Sequence, residues 1–408
     1  MKYLKTYLTY KSLKFPKIAI ALVLFLNIIL ISGMRHIVQD DDMVKLLPKD
    51  IESIITFNDI RQEFGNSEFM YIALGNKNSN ALNPELLKIV WEMSQSLEEY
   101  EPIEEVISIA TASKIYFGQL DSSIIVEDLM PQKNINSMQL DSIVMYLNDN
   151  KELKSSTVSK DEDYLNIVIR PRENNKYADI TYFMHSLTDR FKSYNYNNEI
   201  KELDYHYGGQ AYVTGATPAL VASEVKVLVM CGLFLMCFIL LVNFRNIAAV
   251  SIIISIISLS LLGMLGFMGW IYNFTKSDIF YFTLNHVSMP IVLLTIANSD
   301  GVHIVGRFFK ELRKLKNSEK AIKETMNHLV LPITLTTITT SLAFLTLIFS
   351  PLTGMNGYGI VLAFGIFWAW FLSLTLMPAT IALVNWKINS KAINRKSLLE
   401  KSIDKFGV

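Results

Sequence analysis

The sequence predicts an α-helical membrane protein with six transmembrane helices, one before and five after a large α+β domain that stands in water. Three observations predict it. Six long apolar runs are separated by charged connections, the segment between the first two runs is patterned like a soluble domain, and basic residues gather on one side of the turns. Hydrophobic residues make up 51% of the 408 and charged residues 19%, a balance too apolar for a disordered chain or an ordinary soluble enzyme. Lys plus Arg and Asp plus Glu both number 38, so the net charge is zero. The basic excess of a nucleic-acid binder is absent, and no nucleic-acid partner is expected.

The first run, Ile18–Met34, carries no charge and has about the ~20-residue length that crosses a bilayer. Lysines precede it as in a signal peptide, but no small-residue cleavage site follows, so it reads as a retained anchor. Five further runs follow: Ala222–Phe244, Ile247–Ile271, His286–Gly306, Leu329–Ser350 and Tyr358–Val384. The expected organisation is a cytoplasmic N-terminus with the first span (1–34), a water-exposed domain (35–221), a five-helix membrane domain (222–386) and a cytoplasmic tail (387–408).

Orientation follows from the basic residues. Lys2, Lys5, Lys11, Lys14 and Lys17 precede the first span, and Arg245 lies in the second–third turn. Arg307, Lys310, Arg313, Lys314, Lys316, Lys320 and Lys323 fill the fourth–fifth connection, and Lys387, Lys391, Arg395 and Lys396 follow the last span. The short connections on the other side hold only Lys276. Both termini are therefore expected inside, with the large domain on the outer side of the membrane. Cys231 and Cys237 both fall in the second span, so the outer domain has no disulfide to lean on. Six residues apart on a helix, the two thiols do not share a face, and they read as small apolar packing groups.

The outer domain carries an internal echo. Glu68–Leu74 reads as a strand, Asn83-Pro84 opens a helix with Leu86, Ile89, Val90, Met93 and Leu97 at helical spacing, and Val106–Ala110 returns as a strand. Tyr164–Ile169, a helix with Phe183, Met184, Leu187 and Phe191 on one face, and Leu203–Val213 repeat the pattern. Two strand–helix–strand units suggest split βαβ sandwiches of ferredoxin-like type, with another helix around Ile135–Leu147 between them. A generic α+β receptor domain fits the same pattern. Gly208-Gly209 reads as a turn.

The membrane half holds the chemically unusual residues. Span four places Asn298, Ser299, Asp300 and His303 close together. A carboxylate at the centre of a span costs at least ~2.5–3.5 kcal/mol. Desolvation favours the neutral form of a carboxyl group, which suits it to loading and releasing a proton. Asp300 and His303, three apart, share a helix face. The plainer reading puts Asp300 at a solvated helix end, seven residues before Arg307, and leaves His303 as a histidine satisfied by a neighbour. In span five, Thr336 and Thr340 share one face and Thr337 and Ser341 a neighbouring one. Their hydroxyls can bond back to their own helix or across to a neighbouring one, and the residues read either as small polar groups for close packing or as part of a proton path. Gly263, Gly266 and Gly269 in span three signal close helix approach.

These residues carry a resemblance. One span, an exported α+β domain and five spans resemble one half of a resistance–nodulation–division exporter. The matching text is similar to the MMPL-like branch, which contains the mycobacterial large membrane proteins and the hopanoid exporters. The matching stretches are KLLPKD (Lys45–Asp50), QEFGNSE (Gln62–Glu68), VTGATP (Val213–Pro218), SDGVHIVGRFFKEL (Ser299–Leu312), LPITLTTITTSLAFLTLIFS (Leu331–Ser350) and the LMPATIALV close of span six. Spans two to six are also similar to a sterol-sensing domain. The resemblance implies a porter domain, export of a lipid or other hydrophobic molecule driven by protons, and a proton relay at Asp300 and His303. Asn298, Ser299, Thr336, Thr337 and Thr340 would support that relay. Many relatives carry Tyr after the Asp, where this chain has Gly301. Full exporters repeat the one-plus-five unit, so the chain is expected to be either a half-transporter, working as a homo-oligomer or with a second half, or the first half of a longer product.

No phosphate-loop, serine-hydrolase or zinc-hydrolase string occurs, and the six histidines (36, 185, 206, 286, 303, 328) show no metal-ligand spacing. No enzyme activity, cofactor or metal is expected. The alternative to a transporter is a lipid-sensing or assembly subunit that transports nothing, for which a titratable residue in span four is unnecessary. Orientation is directly testable: in intact cells, a thiol reagent that cannot cross the membrane should label Ser122→Cys and spare Ser397→Cys. Labelling of Ser397→Cys from outside would overturn the topology.

Overall fold

The computed structural model describes residues 9–39, 48, 50–64, 68–77, 79–117, 124–172, 175–196, 199–352 and 354–386. Lys2, Lys5, Lys387, Lys391, Arg395, Lys396, the labelling positions Ser122 and Ser397, and most of the KLLPKD string lie outside them. The chain divides into two compact units, one of residues 1–49 and 221–408, the other of residues 50–220.

The second unit begins with α2 (Glu52–Phe64) and β1 (Met70–Gly75), then α3 (Pro84–Glu98), β2 (Ile103–Ile107) and the hairpin β3 (Ser113–Phe117) and β4 (Ile124–Asp128). It continues with α4 (Ser137–Asp149), α5 (Lys151–Thr157), β5 (Tyr164–Pro171) and α6 (Tyr177–Thr188). A second hairpin, β6 (Ser193–Tyr196) and β7 (Glu199–Glu202), precedes β8 (Asp204–Gly208). Four strands form one sheet in the order β2-β5-β1-β8, every neighbouring pair antiparallel. Strand β5 therefore lies between β1 and β2, and β1 between β5 and β8, so each strand–helix–strand unit is split by a strand of the other.

Period-two alternation decides which face is dry. Met70, Ile72 and Leu74 of β1 and Leu165, Ile167 and Ile169 of β5 are fully buried. They join Leu86, Leu87, Val90, Met93 and Leu97 of α3 and Ile180, Met184 and Leu187 of α6 in one core. Asn83 caps α3, its Oδ1 accepting the Leu86 N–H at 2.9 Å, and Pro84 pre-sets the first turn. Tyr100, just past α3, stacks on Phe183 of α6 at 4.1 Å and 15°.

Two expected strands end differently. The strand expected over Val106–Ala110 is β2, Ile103–Ile107, because Ser108 and Thr111 close a turn: the Ser108 N–H donates to Thr111 Oγ1 at 2.9 Å. The strand expected over Leu203–Val213 stops at Gly208, since Gly209 turns the backbone at φ 96° and a helix starts at Gln210. The two hairpins were not expected; they are short strands without a buried apolar period.

The first unit contains α1 (Pro16–Ser32), the membrane part of α7 (Gln210–Phe244), α8 (Ile247–Thr275), α9 (Met289–Leu315), α10 (Ser318–Leu345) and α11 (Met355–Leu383). Six helical segments here are long and apolar enough to cross a membrane. Helices α9 and α10 run further than the apolar runs. Beyond Gly306 and before Leu329, the residues Phe308, Phe309, Leu312, Ala321, Ile322 and Met326 are all buried. Asn317 caps α10 through the Lys320 N–H at 2.9 Å, and Lys316 makes the turn at φ 48°. Hydropathy marks the part of a helix in hydrocarbon; the wet part shows only in its amphipathic period.

In the α+β domain, half-buried tyrosines set an upper pH limit. Burial raises the Tyr205 hydroxyl well above the usual tyrosine range, and burial likewise raises Tyr207. Tyr205 donates to the Phe191 carbonyl oxygen, and Tyr207 meets Thr188 Oγ1 at 2.6 Å. A raised folded pKa holds the neutral form, so this stability is complete below the unfolded tyrosine pKa of about 10 and is lost as pH rises above it. The fragment 38–218 should unfold cooperatively, indifferent to reductant. Its melting temperature should be level to about pH 9 and fall beyond about pH 10, less steeply in Tyr205→Phe. A reductant-sensitive transition, or an alkaline fall that Tyr205→Phe leaves unchanged, would contradict this account.

Candidate functional site

The site is built on α9. Pro290 stands in its first turn, where a missing N–H costs nothing. Its buried face, Leu293, Leu294, Ala297, Gly301, Ile304, Val305 and Phe308, packs into the helix core of this unit. Asp300 falls eleven residues from the first residue of α9 and fifteen from the last, on the edge of that face, and is half-buried. Among the described residues no hydrogen bond or ion pair reaches its carboxylate. His303, one turn on, is exposed on the outside of the helix cluster, as are Ser299 and Thr295. Thr295, Ser299 and His303 recur every four residues, so α9 presents a polar stripe beside Asp300. Asn298 falls on the opposite edge, its buried Oδ1 without a hydrogen-bond partner among the described residues.

The hydroxyls of α10 divide. Thr336 Oγ1 donates to the Ile333 carbonyl at 2.9 Å and is exposed, as is Thr339, which donates to Leu335 at 3.0 Å. These are back-bonded hydroxyls, the plainer of the two expectations. Thr337 is buried and Thr340 half-buried. Thr334, which the sequence did not single out, donates to Val330 at 2.6 Å and accepts from Trp370 Nε1 of α11 at 3.0 Å. It fastens α10 to α11. Helices α9 and α10 pack against each other, which puts this hydroxyl-rich helix next to the one that carries Asp300.

Gly301 has a reason in the packing. It is fully buried, and a Cβ there would stand 3.0 Å from Cγ2 and 3.2 Å from Cγ1 of Ile253 on α8. A tyrosine after the aspartate, common in the resembled exporters, has no room while α8 keeps Ile253 at this position.

Two titratable residues, one on α9 and one just before it, were missed. Glu311, 6% exposed, has its carboxylate 3.7 Å from Arg307 Nη2 and 3.5 Å from Lys314 Nζ. Seven and eleven residues from Asp300, Arg307 and Glu311 continue its edge of the helix for about 16 Å. The sequence signal was the buried Phe308, Phe309 and Leu312 around it, hidden because 307–328 reads by charge as a loop. His286, just before α9, is completely buried; a lone histidine among six scattered ones gives no pattern to find it by.

The MMPL family model matches residues 45–398, from the outer domain through the last five helices. The chain belongs to the MMPL family. A Methanocaldococcus jannaschii protein whose name says only that it is a membrane protein is 23% identical over 385 residues, 90% of each chain. The chain is thus a multi-pass membrane protein of transporter-like type, with the resemblance read from spans four and five falling inside the matched region.

In this MMPL chain, Gly301→Tyr should cost about 1–3 kcal/mol by overpacking against α8, read as a lower melting temperature of the detergent-solubilised protein. Ile253→Ala in the same molecule should restore most of the loss. A single Gly301→Tyr variant as stable as wild type would show that α8 and α9 are not in contact there.

Proposed function

We propose that this MMPL protein exports a lipid or other hydrophobic molecule at the expense of the proton gradient, with Asp300 as the group that carries the proton. The observation that supports this most is a half-buried carboxyl, without a partner among the described residues, in the middle of a helix inside a candidate membrane span. An ionisable residue in such a place is expensive and is retained where ions or substrates pass. His303, one turn away, would tune Asp300 or hand the proton on. Asn298, Ser299, Thr336, Thr337 and Thr340 would line its surroundings.

The exposed polar stripe supports a two-unit assembly. Thr295, Thr336 and Thr339 bond back to their own helices, but Ser299 and His303 are exposed on a helix assigned to hydrocarbon. Lipid tails offer such groups no partners. A second copy, or a second one-plus-five chain, would cover the stripe and bring its own carboxyl to the same interface. The positive-inside pattern orients the unit with both termini in the cytoplasm of a bacterial inner membrane. The split βαβ order supports a ferredoxin-like porter domain that gathers substrate outside.

Asn in place of Asp300 keeps size and hydrogen bonding and removes the titration. In proteoliposomes loaded with a fluorescent phospholipid or lipophilic dye, an imposed pH gradient should drive efflux in wild type. Asp300→Asn at matched protein should show none, and His303→Ala should slow efflux without abolishing it. Equal gradient-driven efflux from wild type and Asp300→Asn would remove Asp300 as the proton carrier.

A further inference from the structure

His286 stands in a closed apolar compartment at the end of α9 opposite the basic α9–α10 turn. It is 0% exposed, with Phe282 and Tyr358 rings at 5.8 and 5.9 Å and Phe280, Met289 and Val361 buried in the same cluster. Its two ring nitrogens have different fates. Nδ1 accepts the backbone N–H of Thr283 at 3.2 Å, with Thr283 Oγ1 at 2.9 Å. An acceptor nitrogen carries no proton, so the neutral ring has its hydrogen on Nε2. Nε2 is buried and has no partner among the described residues.

The segment 277–283 closes this compartment. It leaves α8 at Lys276 in the left-handed conformation, makes a 3-10 turn over Asp278–Phe280, and buries Phe280 and Thr283. Tyr281 packs its ring on Tyr272 at 5.3 Å and Phe282 bridges to Gln39, and two more contacts help to hold the segment down. The Phe282 N–H donates to the Val38 carbonyl at 2.8 Å, and the Ile279 carbonyl oxygen lies so close to Gly357 of α11 that a Cβ there would overlap it.

We propose that residues 277–283 are a lid over the outer end of α9, and that His286 beneath it is where a proton from outside water is first taken up. The proposal rests on the proton-driven reading of Asp300. The lone pair that would receive the proton is on Nδ1, and in the closed form Thr283, a lid residue, occupies it. Lifting the lid removes Thr283, admits water, gives the orphaned Nε2–H an acceptor and frees Nδ1 to bind a proton. The lid then closes less firmly, because a ring with hydrogen on both nitrogens no longer accepts the Thr283 N–H and keeps only Thr283 Oγ1 as an acceptor for Nδ1–H. Lid position and protonation are therefore coupled.

The titratable and charged groups of the surrounding elements are Tyr358 on α11, Tyr272 and Lys276 on α8, Asp278 and Tyr281 in the lid, and Arg35 and His36 after α1. Of these, Tyr358 has its ring against His286, and its hydroxyl is engaged with Ser288 Oγ at 3.1 Å.

The lid is tested by diethyl pyrocarbonate modification of the full chain in membranes, read by mass spectrometry with exposed His206 as the internal reference. His286 should react far more slowly than His206 in wild type. Gly357→Ala, which wedges against Ile279, and Phe282→Ala, which removes the ring over His286, should each speed it about tenfold, the ratio that a ~1.4 kcal/mol shift of the closed–open balance gives. No change in either variant would overturn the lid. Proton uptake is tested by the dependence of gradient-driven efflux on outer pH. His286→Asn should lose the acceleration by outer acid and keep a pH-independent residue of transport, whereas Asp300→Asn loses transport at every pH. An His286→Asn profile that is the wild-type profile merely scaled down would reduce His286 to a structural role and overturn the proposal. Absence of gradient-driven efflux in wild type would overturn both this role and the proton-driven reading, while the modification experiment would still decide the lid.

Discussion

The membrane unit depends on how closely its helices can approach one another at α8. In hydrocarbon, burying an apolar side chain against a neighbouring helix gains little over leaving it in lipid, so association relies on backbone proximity and a few hydrogen bonds. Helix α8 supplies the proximity. Any side chain at Gly266 would overlap the Leu30 carbonyl oxygen of α1, so this crossing exists only because the position is glycine. Beside it, Trp368 of α11 donates from Nε1 to Asn27 Oδ1 of α1 at 3.2 Å, while Asn27 Nδ2 donates to its own helix at Val23, 3.1 Å away. Asn27 is 1% exposed and uses both ends of its amide, so a polar group that would be costly in lipid becomes a fastener between α1 and α11.

With α8 and α11 at the centre, α9 packs on them by one face and carries Asp300, half-buried, on the edge of that face. The same packing that excludes a tyrosine at position 301 holds α9 by its Gly301–Ile304–Val305 face and leaves Ser299 and His303 exposed. Among the described residues of this unit, the buried side-chain atoms without a hydrogen-bond partner are Asn243 Oδ1, His286 Nε2, Asn298 Oδ1 and Arg307 Nε. Chains tolerate such groups where they are used. Two of the four lie on α9, the helix that carries Asp300, and His286 stands just before it.

The outer domain obeys a different solvent. Its sheet is held by the ordinary hydrophobic effect, with β1 and β5 contributing fully buried residues at every second position and α3 and α6 covering them. Both cysteines lie in α7, in its membrane part, and are free, so no covalent tie contributes to the sheet. The interleaved strand order puts sequence-distant strands side by side. Ile72 of β1 pairs with Ile167 of β5 and with Tyr207 of β8, which makes completion of the domain contingent on its last strand.

The sequence by itself determined the six apolar helices, the α+β insertion after the first of them and Asp300 as an isolated carboxyl in an apolar run, because hydropathy and period are local properties of the chain. It also placed α3 and β1 nearly to their ends, since an Asn-Pro cap and an alternating apolar strand signal themselves. It could not determine how far α7, α9 and α10 extend past their apolar runs, where amphipathic helix takes over. Nor could it order the strands, which depends on pairings between segments about ninety residues apart. The environments of single residues were decided by the tertiary structure alone. Thr336 and Thr337 are neighbours in sequence, yet one is exposed and the other buried; Glu311 looks like loop charge and is buried between two cations; His286 looks incidental and is sealed under a lid. Burial belongs to the packing of distant segments, and no local pattern of residue types encodes it.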